Sequence, residues 1–403
     1  MEMKTISQKK RLSSDAVAAL GGIGGDTNGH TSPGESVAVT LKPGSEIRPV
    51  VTEEDVRKLA ERLYGIIILE MCELDSYDDK NFFIQADRLI KNPILKTVSP
   101  NGYVLKIANS LDSKNEAFFD GQAEIMRQLA KHNIRCPIQI QNIFGKFYSV
   151  ETLGQSKHVV RLLEYIPGKV FHGVPHPERL FYQAGMFIAR VGSALKGFTH
   201  EGVLKRESVW KLDNFPKLEE FLYVVKDEHR KDIVEQVLDA FQKRIASNSE
   251  EFERGVIYGD FNEYNIIVSR TEENSKEYDI AGIIDFGDVC YSCYVFELAI
   301  AMTYMMLESN DLDTGGLIMA GYGMLRLIPP HEKAILKVAI AARLCQSLVL
   351  GLYTSTVDES NQYILSSQAR GWGLLETLWA EKEKDLLERW ENVSVQFLTR
   401  STK

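Results

Sequence analysis

The pattern of apolar and polar positions changes partway along the chain. Up to about residue 166, short runs of β-branched and aromatic residues predominate, and such runs predict strands. The predicted strands are 66–74, 81–87, 102–108, 138–149 and 158–165. Two amphipathic helices interrupt them. Thr52 can cap the first, and the second covers 114–131.

Longer helical patterns follow the Pro-Gly hinge in "EYIPGK". The predicted helices are 177–199, 216–247, 295–309, 316–327, 331–355 and 367–390. Only the region 256–285 returns to strand character. We therefore predict an α+β fold of two lobes, with a small β-rich N-lobe over 49–166 and a larger, mostly helical C-lobe over 167–403.

The first 48 residues differ in composition from the rest of the chain. They are rich in Gly, Ser, Pro and Lys and poor in large apolar residues, which predicts a flexible tail. We expect that removing this tail leaves the folded protein unchanged. Its "GGIGGDTNG" is only superficially similar to a phosphate-binding loop, because no strand precedes it and no helix follows.

The bulk composition narrows the class of protein. The 403 residues are 44% hydrophobic and 26% charged with a net charge of −9, which argues against nucleic acid or an anionic membrane as a partner. No apolar run reaches the ~18 residues that span a bilayer. The nearest, 295–309, carries Glu297 and is interpreted as a buried helix. Five cysteines indicate reduced thiols in the cytoplasm, and we interpret the Cys290–Cys293 pair as packing.

Two polar motifs follow strand-like sequence in the second lobe. In "VIYGDFNEYNIIV" (256–268), strand formers flank Asp260 and Asn265. A plain hairpin with a polar turn is the alternative interpretation. Twenty residues later, "GIIDFGD" (282–288) ends a hydrophobic strand on Asp285. The two motifs in this order, after a β-rich lobe, argue against the plain hairpin.

Enzymes that transfer a phosphoryl group have an Asp, an Asn and a second Asp at this spacing. An Asp accepts the proton of the attacking hydroxyl, while an Asn and a second Asp hold Mg²⁺ against the phosphates of a nucleoside triphosphate. We therefore predict Asp260 as the base and Asn265 and Asp285 as metal ligands. The strand "YVLKIAN" (102–108) supplies Lys106 to hold the phosphates, in the apolar context that this role has in kinases.

The partner of Lys106 on the following helix is less defined. Glu124 could form the expected ion pair, although Asp120, Gln122 and Glu124 all fall in the same helical stretch and a solvated surface charge is the alternative. The loop in 76–84, which should cover the phosphates, contains no glycine. Its backbone would therefore approach the phosphates through polar residues.

Several stretches resemble a known family of small-molecule kinases with a protein-kinase-like fold, the aminoglycoside phosphotransferase and choline kinase family. They are "YGDFNEYNIIV", "IIDFGD" and "YVFELAI". Further stretches resemble the hydroxylysine kinases more closely. Examples are "SYDDKNF", "VVRLLEYIPGK", "VWKLDNFPKLEEFLY" and "RLCQSLV". The resemblance runs from about residue 51 to the end.

The resemblance implies further site residues. The backbone of Glu164, Tyr165 and Ile166 would be the hinge that recognises the nucleotide base. The residues implied on the acceptor side are Asp288, Glu297, Arg206 and Trp210. The negative charge of Asp288 and Glu297 would suit an amine-bearing alcohol, although Glu297 could only brace the loop.

The reaction implied is transfer of the γ-phosphoryl group of GTP to 5-hydroxy-L-lysine. The residues do not distinguish GTP from ATP. Two departures from the family pattern stand out, Tyr258 where a His precedes Gly-Asp and Gln122 near the expected helical Glu. Alternatives are a kinase for another amino alcohol, a sugar or an aminoglycoside, and a nucleotide-binding pseudokinase.

Overall fold

The computed structural model describes residues 41–272, 275–357 and 368–401. The predicted tail up to residue 40 lies outside these residues. The N-lobe contains an antiparallel sheet and two principal helices. Its elements are α1 (Glu53–Tyr64), β1 (Ile66–Leu74), β2 (Lys80–Ile90), β3 (Tyr103–Ile107), α2 (Glu116–Lys131), β4 (Gln139–Ile140), β5 (Ser149–Leu153) and β6 (Ser156–Glu164).

Helix α1 begins where the sequence predicts. Thr52 Oγ1 accepts the N–H of Asp55, and the Asp55 carboxylate accepts the N–H of Thr52 at 2.9 Å, which forms a capping box. Gly65 ends the helix with a φ of 62°, a conformation that costs glycine little. The apolar face of α1, including Leu59 and Leu63, packs in one cluster with Leu105 of β3.

The sheet order places Lys106 at the centre of the lobe. Strands β1, β2, β3 and β6 are antiparallel neighbours in that order, and β4 and β5 both pair with β6. Side chains alternate between the two faces of a strand. Leu105 and Ile107 therefore face α1, and Val104 and Lys106 face the opposite side, toward the C-lobe.

The C-lobe is mostly helical, with short strands carrying the polar motifs. Its helices are α3 (Glu178–Ala194), α4 (Glu201–Leu204), α5 (Glu228–Arg244), α6 (Tyr294–Ser309), α7 (Thr314–Gly323), α8 (Pro330–Lys333), α9 (Leu336–Val357), α10 (Gln368–Ala380) and α11 (Glu383–Ser401). Its strands are β7 (Lys169–Val170), β8 (Arg254–Ile257), β9 (Ile266–Arg270), β10 (Tyr278–Ile283) and β11 (Cys290–Cys293). Strand β9 pairs with β7 and β10, and β8 pairs with β11.

Three long predicted helices are broken in the structure. The range 216–247 contains the end of a 3₁₀ segment (Leu212–Val224) and then α5, which starts anew because Asp227 accepts the N–H of Arg230. The range 331–355 is divided between α8 and α9, and the range 367–390 between α10 and α11. Apolar periodicity continued across these breaks and concealed them.

Part of the predicted tail is packed against the lobes. The N–H of Gly44 donates to the Tyr353 hydroxyl at 2.6 Å, and the carbonyl of Ile47 accepts the N–H of Ser110 at 2.9 Å. Leu41 packs against the main hydrophobic core. Ordered contacts therefore begin before the predicted boundary at 49.

One helix has the length and apolar composition of a membrane span. It covers Leu336–Thr356, and 89% of its most apolar window is buried inside the protein. Lys337 and Arg343 interrupt this apolar run in the sequence, which is why it was not predicted as a possible span. Helix α6, singled out instead, is the buried helix that was predicted, with Glu297 only 1% exposed.

Candidate active site

The loop from β8 to β9 is organised around the carboxylate of Asp260. Nδ2 of Asn265 donates to Asp260 Oδ2 at 2.7 Å, and Nδ2 of Asn262 donates to the same atom at 3.0 Å. Strands β8 and β9 do not pair with each other, since each belongs to a different sheet. The plain hairpin interpretation is therefore wrong, and the polar residues form a loop that presents Asp260.

Glu297 supports this loop from behind. Its carboxylate accepts the backbone N–H of Tyr258 at 2.5 Å and that of Gly259 at 3.0 Å. Gly259 has a φ of 83°, and a Cβ there would lie 2.5 Å from the carbonyl oxygen of Asp288. Both carboxylate oxygens of Glu297 accept backbone N–H groups, which favours the alternative that Glu297 braces the loop over a position facing the acceptor.

Tyr258 joins the two polar motifs. Its hydroxyl donates to the carbonyl of Ile284, the residue before Asp285. Its ring meets that of Phe286 edge-on, with the two ring centroids 5.4 Å apart, a favourable geometry for an aromatic pair. The tyrosine that replaces the family's histidine thus connects the Asp260 loop to the Asp285 loop.

Asp285 follows β10 in a left-handed conformation. Its φ is 56°, which is uncommon for a residue with a side chain and is typical of functional loops. Oδ1 accepts the N–H of Gly287 at 3.1 Å, and Oδ2 lies 2.9 Å from Nζ of Lys106. Burial opposes ionisation of Asp285, but Lys106 and Arg161 outweigh it and hold the pKa below its usual value.

Lys106 is buried and paired with aspartates. Besides Asp285, the Asp79 carboxylate lies 3.9 Å from Nζ. Glu124 does not form the expected ion pair, because it is exposed on α2 and its carboxylate lies 4.0 Å from Arg127. The predicted partner, Glu124, lies on the expected helix, but its side chain is on the face that is exposed to solvent.

Asn265 and Asp285 offer a donor set that fits Mg²⁺. Both amide hydrogens of Asn265 are directed to Asp260, and its Oδ1 accepts no hydrogen bond from the residues that the structure describes. The side chain of Asp285 is 37% exposed. Amide and carboxylate oxygens are the hard ligands that Mg²⁺ prefers, so the residues present suit this ion.

Arg343 is a site residue that the sequence analysis did not identify. It is 1% exposed on α9, and its Nη2 lies 3.1 Å from Asp260 Oδ1. Nη1 donates to the carbonyl of Trp210 at 2.9 Å, and Nε donates to the Tyr304 hydroxyl at 3.1 Å. Burial raises the pKa of Asp260 to about 6, and Arg343 opposes that rise. The available signal was one arginine inside an apolar helix, which has to find a partner when buried.

The loop between β1 and β2 crosses to the C-lobe. The Tyr77 hydroxyl donates to the carbonyl of Leu350 at 2.8 Å, and its ring meets that of Trp210 edge-on at 5.2 Å. Asp78 follows, half-buried and beside Asp79. Burial and the charge of Asp79 raise the pKa of Asp78 to about 8. This loop therefore brings carboxylates over the cleft in place of glycines.

Of the residues expected on the acceptor side, Arg206 and Trp210 support other parts of the site, whereas Asp288 has a carboxylate available to a ligand. Arg206 lies 2.8 Å from the Asp112 carboxylate and donates to the carbonyl of Gly287 at 3.4 Å, so it supports the Asp285 loop. The ring of Trp210 lies under the guanidinium of Arg343, with 5.3 Å to its centroid. Asp288 accepts no hydrogen bond within the described residues, and burial together with Asp260 raises its pKa to about 7.

The hinge segment follows β6. The N–H groups of Glu164 and Tyr165 donate to the carbonyls of Ile138 at 2.8 Å and Gly102 at 3.1 Å. The N–H of Ile166 has no hydrogen-bond partner among the residues described. Of the three hinge donors, that of Ile166 is therefore the one available to a nucleotide base.

Comparison with known proteins identifies the family. Residues 92–329 match the model of the phosphotransferase enzyme family. The chain belongs to this family. It is 31% identical over 355 residues to the hydroxylysine kinase of Bos taurus, covering 85% of this chain and 93% of that protein. It is 30% identical over 362 residues to the hydroxylysine kinase of Danio rerio, covering 87% and 98%.

Solved structures of this phosphotransferase fold agree with the architecture. An amicoumacin kinase bound to AMP-PNP, Ca²⁺ and amicoumacin aligns with a TM-score of 0.59 at 17% identity, covering 83% of this chain and 97% of that one. The predicted protein-kinase-like fold with a β-rich N-lobe and a helical C-lobe is confirmed. The prediction of a small-molecule kinase that phosphorylates an alcohol is also confirmed.

Proposed function

We propose that the protein transfers the γ-phosphoryl group of GTP or ATP to the hydroxyl of 5-hydroxy-L-lysine, giving 5-phosphohydroxylysine in the cytoplasm. The observation that carries the proposal is the convergence of Asp260, Asn265, Asp285 and Lys106 between the lobes. The similarity to hydroxylysine kinases over most of the chain supports the choice of acceptor.

In this proposal Asp260 accepts the proton of the acceptor hydroxyl as the new O–P bond forms. The bond between the γ-phosphorus and the β,γ-bridging oxygen breaks in the same step, and the nucleoside diphosphate leaves. Arg343 and Asn265 hold its carboxylate in one orientation, which keeps it positioned for the attacking oxygen. Lys106 binds the phosphates of the donor. Mg²⁺ held by Asn265 and Asp285 would neutralise charge on the phosphates.

In 5-hydroxylysine the side-chain ammonium is bonded to the carbon next to the one that bears the reacting hydroxyl. A hydroxyl near Asp260 therefore brings that cation close to Asp288, whose carboxylate lacks a hydrogen-bond partner among the described residues. The charge of Asp288 contributes to the raised pKa of Asp78 in the covering loop, so a cation bound between them would favour the ionised form of both. An ammonium there would relieve the repulsion among these carboxylates.

The donor base is recognised through the hinge in this proposal. The unpaired N–H of Ile166 can bind an acceptor atom of either guanine or adenine. The resemblance to hydroxylysine kinases favours GTP as donor.

A panel of acceptors tests the proposal. We expect labelled γ-phosphate from GTP or ATP to appear on 5-hydroxy-L-lysine but not on L-lysine, which has no hydroxyl to deprotonate. Choline, ethanolamine and homoserine serve as competing acceptors. Equal kcat/KM for hydroxylysine and these alcohols would refute the choice of acceptor, and so would the absence of any transfer to hydroxylysine.

A further inference from the structure

Three polar side chains form a row across the cleft face of the N-lobe sheet. Lys106 on β3 lies directly opposite Asn81 on β2 and directly opposite Arg161 on β6. Opposite residues of antiparallel strands project from the same face of the sheet. Asn81 and Arg161 therefore flank Lys106 on the side where it meets Asp285.

Arg161 is a buried cation without a close anionic partner. It is 3% exposed, and no carboxylate of the described residues lies within 4.0 Å of it. Nη1 donates to the amide oxygen of Gln122, and the guanidinium lies over the ring of Phe119, 5.3 Å from its centroid. A buried charge that is not paired is unfavourable unless a ligand compensates for it.

The unpaired edge of this guanidinium is the one that binds oxyanions side-on. Nε is buried without a hydrogen-bond partner, and the hydrogen bond that the guanidinium makes within the described residues runs from Nη1 to Gln122, on the other edge. The N–H groups of Nε and Nη2 point in parallel, which matches two oxygens of a phosphate. On the other side of Lys106, Oδ1 of Asn81 is also buried and has no hydrogen-bond partner among the described residues.

Gln122 explains why the charge of Arg161 remains available. It is 1% exposed on α2 and satisfies one N–H of the guanidinium without neutralising it. A glutamate at this position would form a buried ion pair with Arg161. Asp285 and Asp79 act on Arg161 only from a greater distance, and they oppose the effect of burial, which lowers its pKa.

We propose that Arg161 is a second phosphate-binding cation, kept unpaired by the uncharged Gln122, that joins Lys106 in holding the polyphosphate chain of a nucleoside di- or triphosphate. This inference rests on the proposed function, because it assigns a residue to the same donor site. The glutamine at position 122, near the place of the family's helical glutamate, then has a stated role, because it leaves the charge of Arg161 available to the phosphates.

The test compares nucleotides that differ in phosphate number. Isothermal titration calorimetry with Mg²⁺ measures GMP, GDP and GTP, and the corresponding adenosine nucleotides, on the wild type and on Arg161→Gln. We expect the variant to bind the di- and triphosphates on the order of tenfold or more weakly, and the monophosphates nearly as well as the wild type. Arg127→Gln is the matched control, since Arg127 lies over the Phe147 ring on the same lobe but outside the row.

A second variant separates binding from a structural role. Gln122→Glu supplies the missing anion, so we expect a higher melting temperature without nucleotide and weaker binding of the triphosphates. Equal affinity of the wild type and both variants for GTP and ATP would overturn the proposal for Arg161. So would an equal loss for mono- and triphosphates, which indicates a structural role. A wild type that binds none of these nucleotides would instead refute the donor site itself.

Discussion

Nη2 of Arg343 lies 3.1 Å from Oδ1 of Asp260, although 83 residues separate the two along the chain. The arginine is buried in α9, and its other nitrogens are held by Trp210 and Tyr304. The pair fixes the orientation of the carboxylate on which the proposed chemistry depends. It also means that α9, which lies far beyond the Asp260 loop in the sequence, contributes to the active site.

Replacing Arg343 should therefore affect both stability and rate. We expect Arg343→Gln to lower the free energy of unfolding by about 3 kcal/mol, the lower end of the range for a buried pair, because it leaves the partly buried Asp260 without its cation. Arg343→Lys keeps the charge and should fold, but it cannot contact Asp260, Trp210 and Tyr304 together, so kcat should fall. Urea unfolding and steady-state kinetics measure the two effects. Wild-type kcat in both variants would remove Arg343 from the site.

Tyr258 offers a test of the connection between the two loops. We expect Tyr258→Phe to destabilise the protein by about 1–3 kcal/mol, because the Ile284 carbonyl loses its buried donor. We also expect kcat to decrease, since the position of Asp285 depends on this loop. Tyr223→Phe is the control, as Tyr223 is 55% exposed. An unchanged melting temperature and kcat in Tyr258→Phe would show that the hydroxyl does not position the loop.

The loop carboxylates predict a pH dependence of stability without ligands. Burial raises the pKa of Asp78 to about 8, whereas an aspartate in an unfolded chain titrates near 4. Between these values the folded state binds a proton that the unfolded state has lost, so the free energy of unfolding falls as pH rises. We expect Asp78→Asn to remove this decline, and its stabilisation should be larger at pH 8 than at pH 5.

The matched control for that measurement is Asp75→Asn, an exposed position on the same loop. Urea unfolding at the two pH values, without Mg²⁺ or nucleotide, compares them. If Asp78→Asn changes stability equally at both pH values, the raised pKa of Asp78 is refuted.

The packed part of the N-terminal segment can be tested by truncation. A chain starting at residue 49 loses the bonds from Gly44 to Tyr353 and from Ile47 to Ser110, whereas a chain starting at 41 retains them. Each such bond contributes about 0.5–1.5 kcal/mol, so we expect the shorter chain to unfold at a lower urea concentration. Identical unfolding curves would mean that residues 41–48 add no stability, as the sequence analysis expected.

Local sequence was sufficient for much of this site. Lys106, Asp260 and Asp285 each lie within or beside a strand that the apolar pattern predicts. The resemblance to a kinase family then indicated a role for each of these residues. The helix boundaries that were predicted wrongly are those where the apolar periodicity continues across the break between two helices. The break before α5 is an example, where Asp227 caps a new helix after a 3₁₀ segment.

The partners of these residues could not be predicted in the same way. Arg343 meets Asp260, and Tyr77 meets Leu350, across long separations in sequence that are set by how the lobes pack. The ion pair assigned to Glu124 failed for the same reason, since spacing along α2 does not say which face turns toward the sheet. Long-range packing determines which charges are paired, and a single sequence does not record it.

The central claim is that Asp260 accepts the hydroxyl proton while Asp285 serves the metal–nucleotide. The most direct measurement is the rate of γ-phosphate transfer to 5-hydroxy-L-lysine by the wild type, Asp260→Asn and Asp285→Ala, with nucleotide affinity measured in parallel. Asp239→Asn, an exposed position on α5, is the control. We predict that Asp260→Asn binds Mg²⁺–nucleotide normally but transfers phosphate ~10²–10⁴-fold more slowly, and that Asp285→Ala loses Mg²⁺-dependent binding. Transfer at the wild-type rate by both variants would contradict the account.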